Sequence, residues 1–300
     1  MDVNLLRLHV KMLLEAIVVC VLIILITTAY FHKSCWYCQL QYYYIGLVYH
    51  LHDIFNIKNN KINLVSMPDK IAIVTGGSRG IGVEVVKKLL QCDMEVIVAA
   101  IMFPSVYQKT EDGYEEQWAI NYLSHFLLTS LLLPLLKNGG HPNDCSRIIN
   151  VTSCAHDVGK IDFDYISNNS KKTFCTYSSY GQSKLAQTMS TITMQRLFAN
   201  MSLNVLVYSV HPGIVKTDLF KETILGNKKW AMAAWKTSDQ GATSIIYAAI
   251  NKDIEKKGGI FISNCIELTV PLLAHDERVQ KRLFELSLEQ VQLKDFFQYL

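Results

Sequence analysis

The sequence has almost no excess of charge of either sign. Its 29 lysines and arginines nearly balance 26 aspartates and glutamates, which leaves a net charge of +3 at pH 7. It also has no basic stretch with interspersed aromatic residues, the pattern that a nucleic-acid-binding surface shows. We therefore expect a mixed, solvated surface and no nucleic-acid partner. A chain of 300 residues can form one large α/β domain or two small ones.

The sequence also lacks the cysteine pairs of a metal site or a disulfide framework. Its eight cysteines are scattered, and only Cys35 and Cys38 lie close together. A zinc site would need a second pair or spaced histidines, and a disulfide framework is typical of small secreted domains. We predict no metal site and reduced thiols, with Cys35 and Cys38 next to a membrane and open to acylation.

Charged residues are missing altogether from one segment near the amino terminus. Residues 16–31 (AIVVCVLIILITTAYF) carry no charge. With residues 12–14 the apolar stretch reaches roughly 20 residues, which matches a hydrocarbon layer of ~30 Å. A secretory signal is the alternative, but the stretch is long for one and no small-residue cleavage site follows it. We predict an uncleaved membrane anchor over residues 1–33, with an orientation that the flanking charges leave open.

An aromatic-rich stretch, residues 34–67, follows this anchor. Tyrosine and tryptophan suit the membrane interface because their rings are apolar and their edges polar. Within the stretch, residues 45–55 have the composition of an amphipathic helix that could lie along the membrane. We treat 34–67 as a juxtamembrane linker and predict that the globular domain occupies residues 68–300.

A glycine-rich turn follows the first predicted strand of this domain. The β-branched run at 70–74 is typical of a buried parallel strand. It leads into Thr75-Gly-Gly-Ser-Arg-Gly-Ile-Gly82, and the pattern then predicts a helix over 83–90 and a strand over 95–99. In this arrangement glycine backbone and a helix N-terminus can bind a pyrophosphate. Its position directly after a strand strengthens an otherwise weak signal.

A tyrosine and a lysine four residues apart begin a later predicted helix. Tyr180 and Lys184 lie on one helix face, so the ammonium group can sit beside the phenol. A phenol with a pKa of about 10 is a poor acid or base at neutral pH, and a neighbouring cation lowers that pKa. Tyr177 does not compete, because the residue four positions later is Gly181.

Three further landmarks surround this pair. A predicted strand over 147–153 ends at Ser153, and Asn121 lies within a helix predicted over 114–136. Downstream, a strand over 204–210 leads into the turn Pro212-Gly213, with Thr217 close behind. The pattern also predicts a helix over 239–250 capped by Ser238 or Asp239, a last strand over 258–262 and a helix over 276–296.

Together, in this order and on these elements, the landmarks resemble the short-chain dehydrogenase/reductase family. The resemblance covers about residues 68–290 and is closest to retinol dehydrogenase-like members, which act on long-chain lipid alcohols and aldehydes. It implies a Rossmann-like α/β fold with a doubly wound parallel sheet. Residues 230–235, flanked by lysines, lie where such relatives have a substrate lid, and simple core packing is the alternative for this segment.

The resemblance also implies a role for each site residue. Tyr180 would transfer the proton, Ser153 would polarise the substrate oxygen, Lys184 would tune the tyrosine, and Asn121 would anchor a water relay. The Pro-Gly turn would line the nicotinamide ring. The family's cofactor-binding positions correspond here to Thr75, Gly76, Ser78, Arg79, Gly80, Ile81, Gly82, Tyr180, Lys184, Pro212, Gly213 and Thr217.

Arg79 favours NADP(H) as the cofactor. In the family a basic residue at this position usually neutralises the 2′-phosphate, and the guanidinium group suits phosphate geometry. Members that prefer NAD(H) usually carry an acid at the end of the second strand, where this sequence has Ala99, Ala100 and Ile101. NAD(H) is left open as the alternative.

Compared with the family, part of the cofactor half is missing. Only 38 residues separate Gly82 from Asn121, where ordinary members need roughly 60 more for two strands and their helices. The domain is therefore incomplete between residues 100 and 112. We predict that the sheet either closes, with the strand before Ser153 moving next to the first strand, or stays open. Closure would shift Ser153 by ~4.8 Å, and an open gap costs about 1–3 kcal/mol per unpaired backbone group.

Two functional interpretations follow. The first is an NADP(H)-linked oxidoreductase that interconverts a hydrophobic alcohol, of lipid, isoprenoid or retinoid type, and its carbonyl. It would be a single-pass protein of the endoplasmic reticulum or lipid droplet, with the membrane and a hydrophobic small molecule as partners and homo-oligomer formation open. The second is a truncated, catalytically silent, membrane-tethered relative that binds lipid or a full-length family member.

Overall fold

A computed structural model describes residues 35–99, 108–168, 174–217 and 235–300. The predicted membrane anchor, the junction after residue 99 and most of the predicted lid lie outside the described residues. The described chain is an α/β protein whose strands are almost all parallel. This architecture confirms the predicted Rossmann-like fold class.

The first unit is a strand, a helix and a second strand. Strand β1 (Ile71–Thr75) leads through the glycine turn into helix α2 (Ile81–Gln91), and strand β2 (Glu95–Ala99) returns parallel to β1. Helix α2 buries Val85 and Leu89 on one face, at the four-residue spacing of an amphipathic helix. These elements lie within one residue of their predicted strands and within two of the predicted helix.

The second unit contains the remaining strands. Helix α3 (Glu116–Gly139) precedes strand β3 (Ser146–Val151), and helix α5 (Thr176–Asn200) connects β3 to strand β4 (Val205–His211). Helix α6 (Ser238–Ile250) leads to strand β5 (Phe261–Ser263), and an antiparallel strand β6 (Ile266–Leu268) follows. The sheet order is β3-β4-β5-β6, and all seven residues of β4 are buried. The short helix α4 (Phe163–Asn168) lies between β3 and α5.

The two sheets do not join within the described part of the chain. Strand β1 pairs only with β2, and β3 pairs only with β4. The closed strand order is therefore wrong, and the open alternative is found. Helix α6 packs against α2 and the four-stranded sheet, and an ion pair between Lys70 and Asp144 also links the two units.

A long helix, α1 (Cys35–Asn56), occupies most of the segment that the sequence suggested as a linker. It packs against α5 and against the 3-10 turn after β3, and it buries Tyr37, Tyr49 and Asp53. Its first residue, Cys35, forms a disulfide with Cys175, whose Cα atom is 5.2 Å away. The prediction of reduced thiols is therefore wrong for this pair, because the two cysteines, 140 residues apart, meet only in the folded chain.

Several helix ends differ from the predicted ones because capping groups decide them. Helix α6 is capped by Thr237, in a capping box with Gln240, and not by Ser238 or Asp239. Asp276 caps helix α7 (Glu277–Gln290), which ends six residues before the predicted end. Beyond it, the fully buried Phe296 packs into the core between α3 and α5.

Among the described helices, α3 alone is long and apolar enough to cross a membrane by length and composition. However, Tyr122, Phe126 and Leu133 of this helix are buried in the core of the domain, in a cluster to which α5 also contributes. We therefore regard α3 as a core helix, which positions Asn121 next to α5.

Candidate active site

The hydroxyl groups of Tyr180 and Ser153 meet at the carboxyl end of strand β3. Ser153 comes two residues after β3, and its Oγ accepts a hydrogen bond of 3.2 Å from the N–H of Ala155 at the start of a 3-10 turn. Tyr180 comes from the first turns of α5. Burial raises the pKa of Tyr180 to about 12, although the nearby hydroxyl of Ser153 acts in the opposite direction. The structure thus brings together the two predicted hydroxyl groups.

Lys184 lies one helical turn beyond Tyr180, with its Nζ 5.7 Å from the centre of the tyrosine ring. The ammonium group donates hydrogen bonds of 2.9 Å to the Val151 carbonyl oxygen and to Oε1 of Gln187. Burial lowers its pKa to about 7. The lysine is thus close enough to act on the phenol electrostatically, and near-neutral pH lies within its titration range.

Asn121 lies in a π-helical turn of α3, Ala119–Leu123. Such a turn widens the helix locally and leaves backbone carbonyls without their usual partners. The Nδ2 of Asn121 donates to Ser183 Oγ at 3.1 Å, and Ser183 Oγ donates to the Tyr180 carbonyl oxygen at 2.8 Å. Asn121 is thus linked through Ser183 to helix α5. Its role in a water relay stays a prediction.

The glycine turn has the conformation that a phosphate-binding loop requires. Gly76 and Gly80 have φ values of 70° and 58°, which favour glycine. A Cβ at Gly82 would lie 2.1 Å from the Gly76 carbonyl oxygen, so the loop closes tightly onto the start of α2. Helix α2 has Gly80 at its N-cap, and no side chain of the described residues caps its first N–H groups. Those N–H groups are suited to bind an anion.

The glycine loop and the segment after the Pro-Gly turn are neighbours in space. A Cβ at Gly80 would lie 3.7 Å from Cγ2 of Thr217, which places the predicted carboxamide-binding residue against the phosphate loop. Gly213 has a φ of 93° and lies in the turn after β4. Arg79 is exposed at the tip of the loop, as are Ser78 and Gly80. The structure thus brings the residues predicted to bind phosphate and carboxamide together, whereas α1 contacts the Pro-Gly turn that is predicted to line the nicotinamide ring.

Sequence reasoning missed the part of the site that α1 contributes. Asp53 forms an ion pair of 3.0 Å with Lys236, and its carboxylate accepts a hydrogen bond of 2.9 Å from the N–H of Ile214, next to Gly213. Tyr42 and Tyr49, on the same face of α1, contact Tyr180 and His211. In the sequence, the spacing of residues 42, 49 and 53 indicates only that they would share one face of a helix. It does not indicate which surface that face contacts.

The fold and the site together define the class of the protein. A parallel sheet, a glycine turn at a helix N-terminus and a serine, tyrosine and lysine set at the carboxyl end of a strand are the parts of a Rossmann-like dehydrogenase. A sequence profile described as short chain dehydrogenase matches residues 98–227. The chain belongs to the short-chain dehydrogenase family and is an oxidoreductase of the class that acts on CH–OH groups.

Individual relatives agree with this assignment. The chain is 30% identical to a human polyprenol dehydrogenase over 290 residues, which covers 76% of this chain and 87% of the relative. It is 36% identical to human retinol dehydrogenase 14 over 196 residues, covering 62% of this chain and 55% of the relative. A solved structure of an uncharacterized protein from Mycobacterium paratuberculosis has a TM-score of 0.61 at 21% identity, covering 77% of this chain and 96% of that chain.

The comparison with the human polyprenol dehydrogenase also bears on the missing segment. The 290 aligned positions cover 76% of this chain, or 228 of its 300 residues, which leaves about 60 positions without a counterpart here. This number agrees with the length expected for two strands and their helices. A deficit of this length is thus present in the alignment, and β1 and β3 are not paired with each other within the described residues.

Proposed function

We propose that this chain interconverts a hydrophobic alcohol and its carbonyl compound, with NADP(H) as the hydride carrier. The observation that carries the proposal is that the hydroxyl groups of Tyr180 and Ser153 lie close together at the carboxyl end of β3, with Lys184 one helical turn away. At this edge of a parallel sheet a ligand can contact side chains from several elements at once.

Each residue of the set has a distinct task in the proposed reaction. NADP(H), when bound, supplies or accepts the hydride. Tyr180 takes the proton from the alcohol during oxidation and returns it to the oxygen during reduction. Ser153 donates a hydrogen bond to the same oxygen, and the charged form of Lys184 stabilises the phenolate of Tyr180. Because burial raises the pKa of Tyr180, the reaction depends on these two neighbours.

The choice of NADP(H) is supported by Arg79 and by the sequence after β2. Arg79 is exposed at the tip of the glycine loop, where its guanidinium can reach a phosphate. Strand β2 ends at Ala99, and no acid in the sequence follows it directly to bind a ribose diol. NAD(H) is the alternative that these observations disfavour.

The substrate class is inferred from relatives and from the apolar character of the amino-terminal part of the chain. Two relatives are named for polyprenol and retinol, both long apolar alcohols. The uncharged segment 16–31 precedes α1, whose outer face exposes apolar side chains in helical spacing. The exposed residues of this outer stripe are Leu40, Tyr44, Leu47, Leu51 and Phe55. We place the protein at a membrane, as a single-pass protein of the endoplasmic reticulum or lipid droplet.

The second interpretation, a catalytically silent relative, is favoured by the open gap between the two sheets. Displacement of reacting groups by ~1 Å can reduce a rate 100-fold. Within the described residues, no strand joins β1 to the four-stranded sheet. A catalytically silent chain would bind lipid or a full-length family member and would not catalyse the reaction.

Replacement of Tyr180 tests the proposal. Purified protein in detergent micelles is expected to reduce a retinoid or polyprenoid aldehyde with NADPH. Tyr180→Phe should lower kcat by on the order of 10²- to 10⁴-fold, because it removes the proton donor and keeps the ring. Tyr177→Phe, one turn earlier on the same helix, is the matched control and should retain activity. Equal rates for wild type and Tyr180→Phe would contradict the assignment, and absence of turnover in the wild type would favour the silent interpretation.

A further inference from the structure

Helix α1 lies directly over the groups that the proposed reaction uses. The ring of Tyr42 packs edge-on against Tyr180, with ring centres 6.2 Å apart, and also contacts Tyr177 at 5.3 Å. Gln39 donates a hydrogen bond of 3.1 Å to the hydroxyl of Tyr177. Further along, Tyr49 packs edge-on against the buried ring of His211 at 5.2 Å. The inner face of α1 thus covers both the catalytic helix and the end of β4.

The Pro-Gly turn is contacted by Asp53, near the end of α1, and by Lys236. A Cβ at Gly213 would lie 2.5 Å from Lys236 Nζ and 2.7 Å from Asp53 Oδ2, so both charged groups press against this backbone. Asp53 accepts the N–H of Ile214 at 2.9 Å, and Lys236 donates to the Pro212 carbonyl oxygen at 3.3 Å. The surface predicted to line a nicotinamide ring is therefore already covered by a helix and an ion pair.

The contact between Asp53 and the domain is built as a buried, well-paired cluster. The side chains of Asp53 and Lys236 are 5% and 3% exposed. Asn264 bridges them, donating to Asp53 at 2.9 Å and accepting from Lys236 at 2.6 Å. Burial alone would raise the pKa of Asp53, but Lys236, His211 and the Ile214 N–H lower it overall, so the carboxylate is charged at neutral pH. These contacts hold the last turns of α1 on the domain in the state that the structure describes.

Both ends of α1 are held on the domain. The disulfide between Cys35 and Cys175 attaches its first residue to the N-cap of α5, and Cys175 lies five residues before Tyr180 in the chain. After the last residue of α1, Asn60 donates to the Gln240 carbonyl oxygen at 2.8 Å and accepts from Ser244 at 3.2 Å. The start of α1 is therefore attached beside the first turn of α5, close to Tyr180, and the residues after its end are attached to α6.

From these contacts we propose that α1 is a cover of the Ser153–Tyr180 site, and that it must move away before a ligand reaches Tyr180 and the Pro-Gly turn. The nature of that ligand rests on the proposed function, whereas the cover itself rests on the contacts of α1 alone. The chain would then exist in a closed state, which the structure describes, and an open state that binds the cofactor. The apparent affinity for that ligand is then the affinity of the open state multiplied by the fraction of molecules that are open.

Two pairs of variants test the cover in the full-length chain. Tyr42→Ala removes the ring over Tyr180, and Tyr44→Ala is its matched control, since Tyr44 is 59% exposed on the outer face of the same helix. Cys35→Ser removes the disulfide, and Cys145→Ser is its control, since Cys145 is a free cysteine directly before β3 and away from α1. Neither pair alters the buried Asp53 cluster, so the variants are expected to fold, which circular dichroism would verify.

The first readout is the nitration of Tyr180 by tetranitromethane, followed by peptide mass spectrometry, and it needs no cofactor. Tyr42→Ala and Cys35→Ser should raise the rate of Tyr180 nitration by about tenfold, while the two controls match the wild type. The second readout is the dissociation constant of NADPH, measured by fluorescence, which should fall by a similar factor in the same two variants.

The outcomes separate the cover from the proposed function. If nitration rises in Tyr42→Ala and Cys35→Ser but no protein binds NADPH, the cover is supported and the proposed function fails. If nitration of Tyr180 is the same in all five proteins, the cover is overturned, whether or not NADPH binds. If the two controls change as much as their partners, the effect is not specific to the inner face, and the cover is likewise overturned.

Discussion

At the scale of single residues, Arg79 is expected to decide between the two cofactors. It is exposed in the glycine loop, where a charge-assisted hydrogen bond to a phosphate is worth about 1.5–3 kcal/mol. Arg79→Gln should therefore weaken NADPH binding by on the order of 10- to 100-fold and leave NADH binding unchanged. Arg278→Gln, at a highly exposed position on α7, is the control. An equal loss of affinity for both cofactors would contradict the role in phosphate recognition.

A second residue, His211, is expected to make stability depend on pH. Neither of its ring nitrogens has a hydrogen-bond partner among the described residues, and burial lowers its pKa to about 3. The folded chain therefore keeps this histidine neutral, whereas the unfolded chain binds a proton below about pH 6.5. The associated stability is present above pH 6.5 and is lost as the pH falls towards 3.

The change between pH 6.5 and pH 5 should amount to about 1–2 kcal/mol for His211 alone. His211→Phe keeps a ring against Tyr49 and should reduce the loss of unfolding free energy by that amount, measured by urea denaturation at both pH values. His125, whose pKa burial lowers to about 4, contributes in the same direction and remains in the variant. An unchanged pH dependence in His211→Phe would refute the assignment.

At the scale of elements, the cap of α6 can be tested directly. The Oγ1 of Thr237 accepts the N–H of Gln240 at 3.2 Å, and Oε1 of Gln240 accepts the N–H of Thr237 at 2.9 Å. Thr237→Ala should cost about 1 kcal/mol of unfolding free energy, because it leaves a helix N–H without its partner. Ser238→Ala should cost clearly less in the same denaturation experiment. A larger loss of unfolding free energy for Ser238→Ala than for Thr237→Ala would instead support Ser238 as the cap, as the sequence suggested.

The elements also differ in how far the sequence could predict them. Strand β2 coincides with its predicted range, and Ser153 and Tyr180 meet as predicted, because hydrophobic periodicity and a family pattern are local signals. The pairing of Asp53 with Lys236 and of Cys35 with Cys175 joins residues far apart in the chain. No local pattern encodes such contacts, so the sequence predicts a linker where α1 packs against Tyr180 and the Pro-Gly turn.

At the scale of the whole molecule, the open gap should make one half of the protein less stable than the other. Strand β1 pairs on one edge only among the described residues, and Ile71, Ile73 and Ile97 are 64%, 43% and 51% exposed on one face of its sheet. A two-stranded sheet is marginal without further packing, whereas every residue of β4 is buried. The first unit is therefore expected to open without unfolding the second.

Hydrogen exchange followed by mass spectrometry would measure this difference. Amides of β1 and β2 should exchange on the order of 100-fold faster than those of β4 in the same sample, since each factor of ten corresponds to about 1.4 kcal/mol of opening free energy. Strand β4 serves as the internal control, because it pairs with β3 on one edge and with β5 on the other. Equal protection of all three strands would mean that α6 and the Lys70–Asp144 ion pair hold the first unit as firmly as a strand would, and the gap would then carry no energetic cost that exchange can detect.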